Sequence, residues 1–150
     1  TDSRVVNREG LNARDLIVSL LPASEYDRIV IDLSFISITL ILENVWPLLS
    51  GSGAMIALVK PQFEAGREAV SKGRGVIRDD ETRHNIRRRI ERFAWDALPG
   101  CSIPETIECP LPGSDGNREF LMLLQKQQHE RQNMCQAPSD SARARSRGNE

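Results

Sequence analysis

The sequence predicts an α/β domain built on a mixed sheet, parallel at first and closed by an antiparallel last strand. Three observations predict it. Two apolar runs, residues 29–33 and 54–59, carry a charged residue at or just past their ends, Asp32 and Lys60. Strands buried in a parallel sheet read this way. Each run is followed by a segment of helical character, and the chain closes on a strand-like segment, a turn-rich connection and one more apolar run.

Taken in order, residues 4–9 suit a short strand, followed by a turn at Gly10 and a brief helix over 12–21 that Pro22 closes. The run 29–33 has the look of a strand buried on both faces. Ser34 or Ser37 can cap the helix that follows through Leu40, Ile41, Val45 and Leu48, and Pro47 kinks or ends it. Gly51 and Gly53 make the stop before the strand 54–59. The clearest helix spans about 80–98, with Ile86, Ile90, Phe93, Ala94 and Ala97 on one face and its arginines largely on the other. Pro99-Gly100 ends it. Residues 102–109 and 120–124 form the last two strands, and the polar stretch 127–150 has the composition of a disordered tail.

At 150 residues the chain holds one domain at most. Its net charge of −1 neither requires nor excludes a nucleic acid, because local basic patches decide that. Basic residues gather between Arg67 and Arg92 and again between Arg143 and Arg147. Cys101, Cys109 and Cys135 form no CxxC pair, and with His84 and His129 they make no recognisable zinc cluster. Free thiols in a reducing, cytoplasmic setting are the expectation, with no metal. The apolar stretch 29–42 is interrupted by Asp32 and too short to span a bilayer.

In open α/β sheets, ligands sit beyond the carboxyl ends of the parallel strands. Asp32 and Lys60 occupy that position. Glu119 precedes its strand, but an antiparallel last strand starts at the edge where the others end. Three ionisable residues thus converge on one cleft. Taken singly, each carries less: Asp32 reads equally as a helix cap, Lys60 as a solvated strand end, and Glu119 alone points to nothing. The pattern alone does not name a reaction.

The segments 32–37, 57–68, 75–79 and 115–121 do. In this order and spacing, and above all in Val59-Lys60-Pro61-Gln62-Phe63-Glu64, the chain resembles the hemolysin A (TlyA-type) ribosomal RNA methyltransferases, whose catalytic domain is FtsJ-like. The resemblance covers about residues 4–126. It implies a Rossmann-like, S-adenosylmethionine-dependent fold that methylates ribose 2′-hydroxyls of ribosomal RNA or ribosomal subunits. It also implies a Lys-Asp-Lys-Glu tetrad, of which Asp32, Lys60 and Glu119 match the last three members. Asn12 matches a position on the cofactor's adenine side. Lys60, when neutral, is the expected general base for the ribose hydroxyl, with the two acids orienting the reacting groups. Arg67, Lys72, Arg74 and Arg78, after Lys60, are candidate phosphate contacts. Arg87, Arg88 and Arg89 read as a solvated helix face.

The family's glycine-rich cofactor motif, its first tetrad lysine, its first strands and its S4-type RNA-binding domain are expected upstream of Thr1. The sheet is therefore expected to show a gap or an unpaired apolar edge. Residues 1–126 read as a partial methyltransferase domain with little or no activity alone, and a non-catalytic, RNA-associated remnant is the alternative. A membrane pore, suggested by the family's older name, needs spanning helices or many alternating strands, and the sequence offers neither.

Overall fold

The computed structural model describes residues 2–66 and 75–127. Four strands, β1 (Tyr26–Ile31), β2 (Leu49–Val59), β3 (Cys101–Glu108) and β4 (Phe120–Lys126), form one sheet in the order β1-β2-β4-β3. β1 and β2 are parallel, while β4 runs antiparallel to both β2 and β3. The connection from β1 to β2 carries helix α1 (Thr39–Val45), and β2 leads into the short α2 (Pro61–Glu64). The long α3 (Asp80–Ala97) precedes β3.

The core lies on one face of this sheet. Met55, Ala57 and Val59 of β2 and Phe120, Met122 and Leu124 of β4 alternate inward. They meet Ile41, Leu42 and Val45 of α1 and Ile86, Ile90 and Ala94 of α3. The helix spacing of these residues puts each set on one stripe, as amphipathic packing on a sheet requires.

The other face is open, and this corrects the expectation that residues 29–33 form a strand buried on both sides. β1 is the edge strand, and Val30 is 76% exposed. Among the described residues both α1 and α3 pack on the same side, so nothing covers the outward side chains of β1. Among the described residues no strand pairs with the outer edge of β1.

The N-terminal elements also differ from expectation. Residues 4–9 form no strand, and 12–21 hold two short 3₁₀ turns, Ala13–Asp15 and Val18–Leu20, with no buried residue in either. A brief helix holds only by docking an apolar stripe, and here Ile17 and Val18 stay outside. Gly51 and Gly53 do not stop anything. They lie inside β2, where the register jumps from Tyr26↔Leu49 to Arg28↔Ala54, so the stretch between bulges away from β1. Pro47 ends α1 as expected, through the 3₁₀ turn Trp46–Leu48.

Candidate active site

The strand directions bring the three charged residues to one edge. Ile31 pairs with Ala57 across the parallel ladder, and Val59 with Phe120 across the antiparallel one. Asp32, Lys60 and Glu119 are each one residue beyond those strands, at the same end of the sheet.

Lys60 is fixed by its neighbours in sequence and space. Pro61 follows it, which keeps Lys60 extended (φ −109°, ψ 100°) and starts α2. Its Nζ lies 2.6 Å from Asp32 Oδ1 and donates to Ser34 Oγ at 3.3 Å. The lysine side chain is 13% exposed, whereas that of Asp32 is 63% exposed. The ion pair thus faces outward through its acid. Glu119 is buried, and its Oε1 accepts from Gln62 Nε2 at 2.9 Å. Among the described residues, Lys60 therefore pairs with Asp32, and Glu119 is held separately by Gln62.

The bland explanation of Asp32 as a helix cap does not hold. The Ile38 N–H at the start of α1 goes to Glu64 Oε1 at 2.7 Å, and Ser37 Oγ donates to Glu64 Oε2 at 2.6 Å. Glu64 itself is anchored by Arg89, whose Nη2 donates to its backbone carbonyl. The final Glu of the Lys60–Glu64 motif thus ties α2 to α1 and leaves Asp32 to Lys60.

Between them stands Phe35. It has φ 64°, a left-handed conformation that a bulky residue adopts at a cost, yet its side chain is 90% exposed. Its ring lies 5.0 Å from that of Phe63 at an interplanar angle of 48°. The sequence carried no glycine or asparagine there to signal the turn. Gln62 was equally silent, since a lone amide beside apolar neighbours breaks no pattern.

The remaining candidates lie elsewhere. Asn12 is exposed, and its side chain caps the first 3₁₀ turn by accepting from the Arg14 N–H at 3.0 Å. Asn44, near the C-terminal end of α1, donates to the Arg14 carbonyl at 2.8 Å, so this turn docks away from the α1 end that Glu64 caps. The structure does not bring Asn12 to the charged trio. Arg78 is exposed just before α3. Arg67, Lys72 and Arg74 lie outside the described residues, as does the expected tail beyond Gln127. Among the described residues no three His, Cys, Asp or Glu side chains gather as a metal site, and no helix is long and apolar enough to cross a membrane.

A cavity of about 410 Å³ opens at the opposite end of the sheet, between Trp46, Pro47, Leu98, Pro99 and Lys126. It is apolar and distant from the trio. The strand-end edge, where an acid, an amine and a hydroxyl meet, is a separate place in the fold from this hollow.

A Rossmann-like α/β sheet with an acid-amine pair at the ends of its parallel strands defines the class of fold. Comparison with known proteins narrows it. The model of the FtsJ-like methyltransferases matches residues 1–126, and the chain belongs to that family. It is 40% identical over 123 residues to hemolysin A of Brachyspira hyodysenteriae, covering 80% of this chain and 49% of that protein. It is 35% identical over 130 residues to the 16S/23S rRNA (cytidine-2′-O)-methyltransferase TlyA of Mycobacterium tuberculosis, covering 84% and 46%. A solved structure of a candidate hemolysin from Lactococcus lactis superposes with a TM-score of 0.78 at 37% identity, over 85% of this chain and 59% of that one. The chain spans about half the length of the curated relatives it matches.

Proposed function

We propose that this chain carries part of the active site of a cytoplasmic enzyme that methylates ribose 2′-hydroxyls of ribosomal RNA, with S-adenosylmethionine as donor. The observation that carries the reading is the 2.6 Å Lys60–Asp32 pair at the sheet edge where Glu119 also begins its strand. The family and the relatives' names support it.

The residues present suit one end of that cofactor. Lys60 meets Asp32 at Oδ1, and the acid is largely exposed, so the carboxylate remains accessible to a cationic centre such as a sulfonium. A glycine-rich cradle for the rest of the molecule is not among the described residues. Bound there, S-adenosylmethionine supplies a methyl group already activated on a positive sulfur.

The chain's own groups handle the ribose. Lys60 Nζ, in its neutral form, accepts the proton of the 2′-hydroxyl as that oxygen becomes nucleophilic. Asp32 and Ser34 fix the amine's direction, and Glu119 accepts a hydrogen bond from the hydroxyl or from the ammonium that results. Phe35 offers an exposed ring on which an unstacked base can lie, and Arg78 with Arg67, Lys72 and Arg74 supplies phosphate contacts whose strength falls with salt. Asn12, by its match to the family, is the residue assigned to the adenine side.

Calorimetric titration of S-adenosylmethionine tests the reading. The chain is compared with a form extended upstream of Thr1 by the matching segment of Mycobacterium tuberculosis TlyA. Binding and ribosomal RNA methylation by the extended form, with weak or no activity from the chain alone, is the expected result. An extended form that binds cofactor but methylates no RNA leaves the remnant reading in its place.

A further inference from the structure

We propose that Gln62 is a positioning residue for this methyl transfer, holding the Glu119 carboxylate at the strand edge it shares with Lys60. The inference rests on the function proposed above and adds a residue that neither the tetrad nor the strand-end pattern contains.

Gln62 sits in the first turn of α2, two residues after Lys60, and is only 7% exposed. Its Nε2 donates to Glu119 Oε1 at 2.9 Å. The amide's orientation follows from chemistry, because turning it over would set two oxygens against each other. The consequence is that Gln62 Oε1 is buried with no hydrogen-bond partner among the described residues. Burying an acceptor unpaired is unfavourable, and an apolar side chain of similar volume facing an apolar partner would avoid it. Packing alone therefore does not account for an amide at this position. A requirement to orient the carboxylate does.

Backbone also comes close to Glu119. A Cβ on Gly113 would lie 2.5 Å from Glu119 Oε1, so the loop approaches the carboxylate as only glycine permits. That loop is itself pinned. The Gly113 N–H donates to the Asn117 carbonyl at 2.8 Å, and Asn117 Nδ2 donates to the Gly75 carbonyl at 3.2 Å while its Oδ1 accepts from the Ile77 N–H at 3.3 Å. Glu119 thus meets both this backbone and the Gln62 amide. Because Gln62 and Lys60 bracket Pro61, the amine and the carboxylate are set by one rigid three-residue unit.

The test measures methyl transfer to ribosomal subunits by the upstream-extended form, in wild type, Gln62→Leu and Gln62→Glu. Gln62→Leu removes the donor and is expected to lower kcat by about tenfold to a hundredfold, with KM for RNA little changed. Gln62→Glu keeps the shape but can donate only when protonated. Its rate relative to wild type is expected to rise as the pH falls from about 8.5 to about 6, since two facing carboxyls favour a shared proton. With rates taken per folded molecule, the folded fraction being read by circular dichroism at each pH, a purely structural role predicts a ratio that does not change with pH, and that result overturns the inference, as does a Gln62→Leu rate equal to wild type. A wild-type form that transfers no methyl group overturns the functional reading and this inference with it.

Discussion

Lys60 and Lys126 end neighbouring strands at opposite ends of the sheet, and the two are used in opposite ways. Lys126 is a clasp. Its Nζ donates to the Leu49 backbone carbonyl and lies 5.6 Å from the centre of the Trp46 ring, whose own Nε1 donates to the Pro99 carbonyl at 3.0 Å. Lys60 instead meets side chains, the Asp32 carboxylate and the Ser34 hydroxyl. The aromatics repeat the contrast. Trp46 is 3% exposed in relaxed helical backbone, while Phe35 is 90% exposed in a left-handed one. Lys126 and Trp46 are satisfied by backbone carbonyls; Phe35, left outward and strained, needs a use the isolated fold does not supply.

Swapping the two lysines for methionine gives the sharpest break between the ends. Lys60→Met is expected to reduce methyl transfer by the upstream-extended form by about 10²–10⁴-fold, the usual contribution of a general base. It should leave thermal stability nearly unchanged, because its partner is largely exposed and such pairs contribute only about 0–1 kcal/mol. Lys126→Met should do the reverse, costing about 1–3 kcal/mol in a melt while the folded fraction keeps its rate. If Lys126→Met slows transfer as much as Lys60→Met does, the two ends are not separate. Trp46→Ala is the strongest lever on stability alone, at about 3–5 kcal/mol read by denaturant unfolding.

The division between the two ends explains what the sequence could reveal. Runs 54–59 and 120–124 are apolar because they are central strands, and their charged neighbours Lys60 and Glu119 mark an edge once the strand directions are known. That logic needed only polarity and order. The start of β2 was hidden because Gly51 and Gly53 read as a stop, whereas tertiary pairing with β1 recruits the residues before them. The helix over 12–21 failed for the converse reason: its apolar side chains Ile17 and Val18 found too little to dock against. Phe35 and Gln62 were illegible because backbone strain and an unpaired amide oxygen are properties of the assembled edge.

Phe35→Gly tests whether the strain at that edge is retained for binding. Glycine adopts a positive φ freely, and the ring that would be lost is almost wholly outside. Stability is therefore expected to rise by about 1 kcal/mol, whereas affinity for the RNA substrate falls. Phe35→Asn, which tolerates the same backbone, should weaken RNA binding in the same way. A variant that gains stability and keeps full RNA affinity shows the exposed ring to be idle.

α3 connects the two ends, starting beside the loop that precedes Glu119 and finishing at Leu98 and Pro99, so its first cap probes whether they are mechanically independent. Asp79 accepts from the Thr82 N–H at 2.7 Å and from the Thr82 hydroxyl, and these donors hold its carboxyl below the usual aspartate range. A folded-state value below the unfolded one means stability that is present above about pH 4 and lost as pH falls through the lowered value. Asp79→Ala should therefore lower Tm modestly at neutral pH, with the gap to wild type closing on acidification. Asp79→Asn keeps an acceptor without the charge, so its smaller deficit should not track pH in this way. Amide exchange then separates two outcomes. If the first turn of α3 alone opens in Asp79→Ala, the cap serves only its own helix end. If the Trp46 indole N–H loses protection as well, a disturbance beside Glu119 travels the length of α3 to the far end, and the two ends form one cooperative unit.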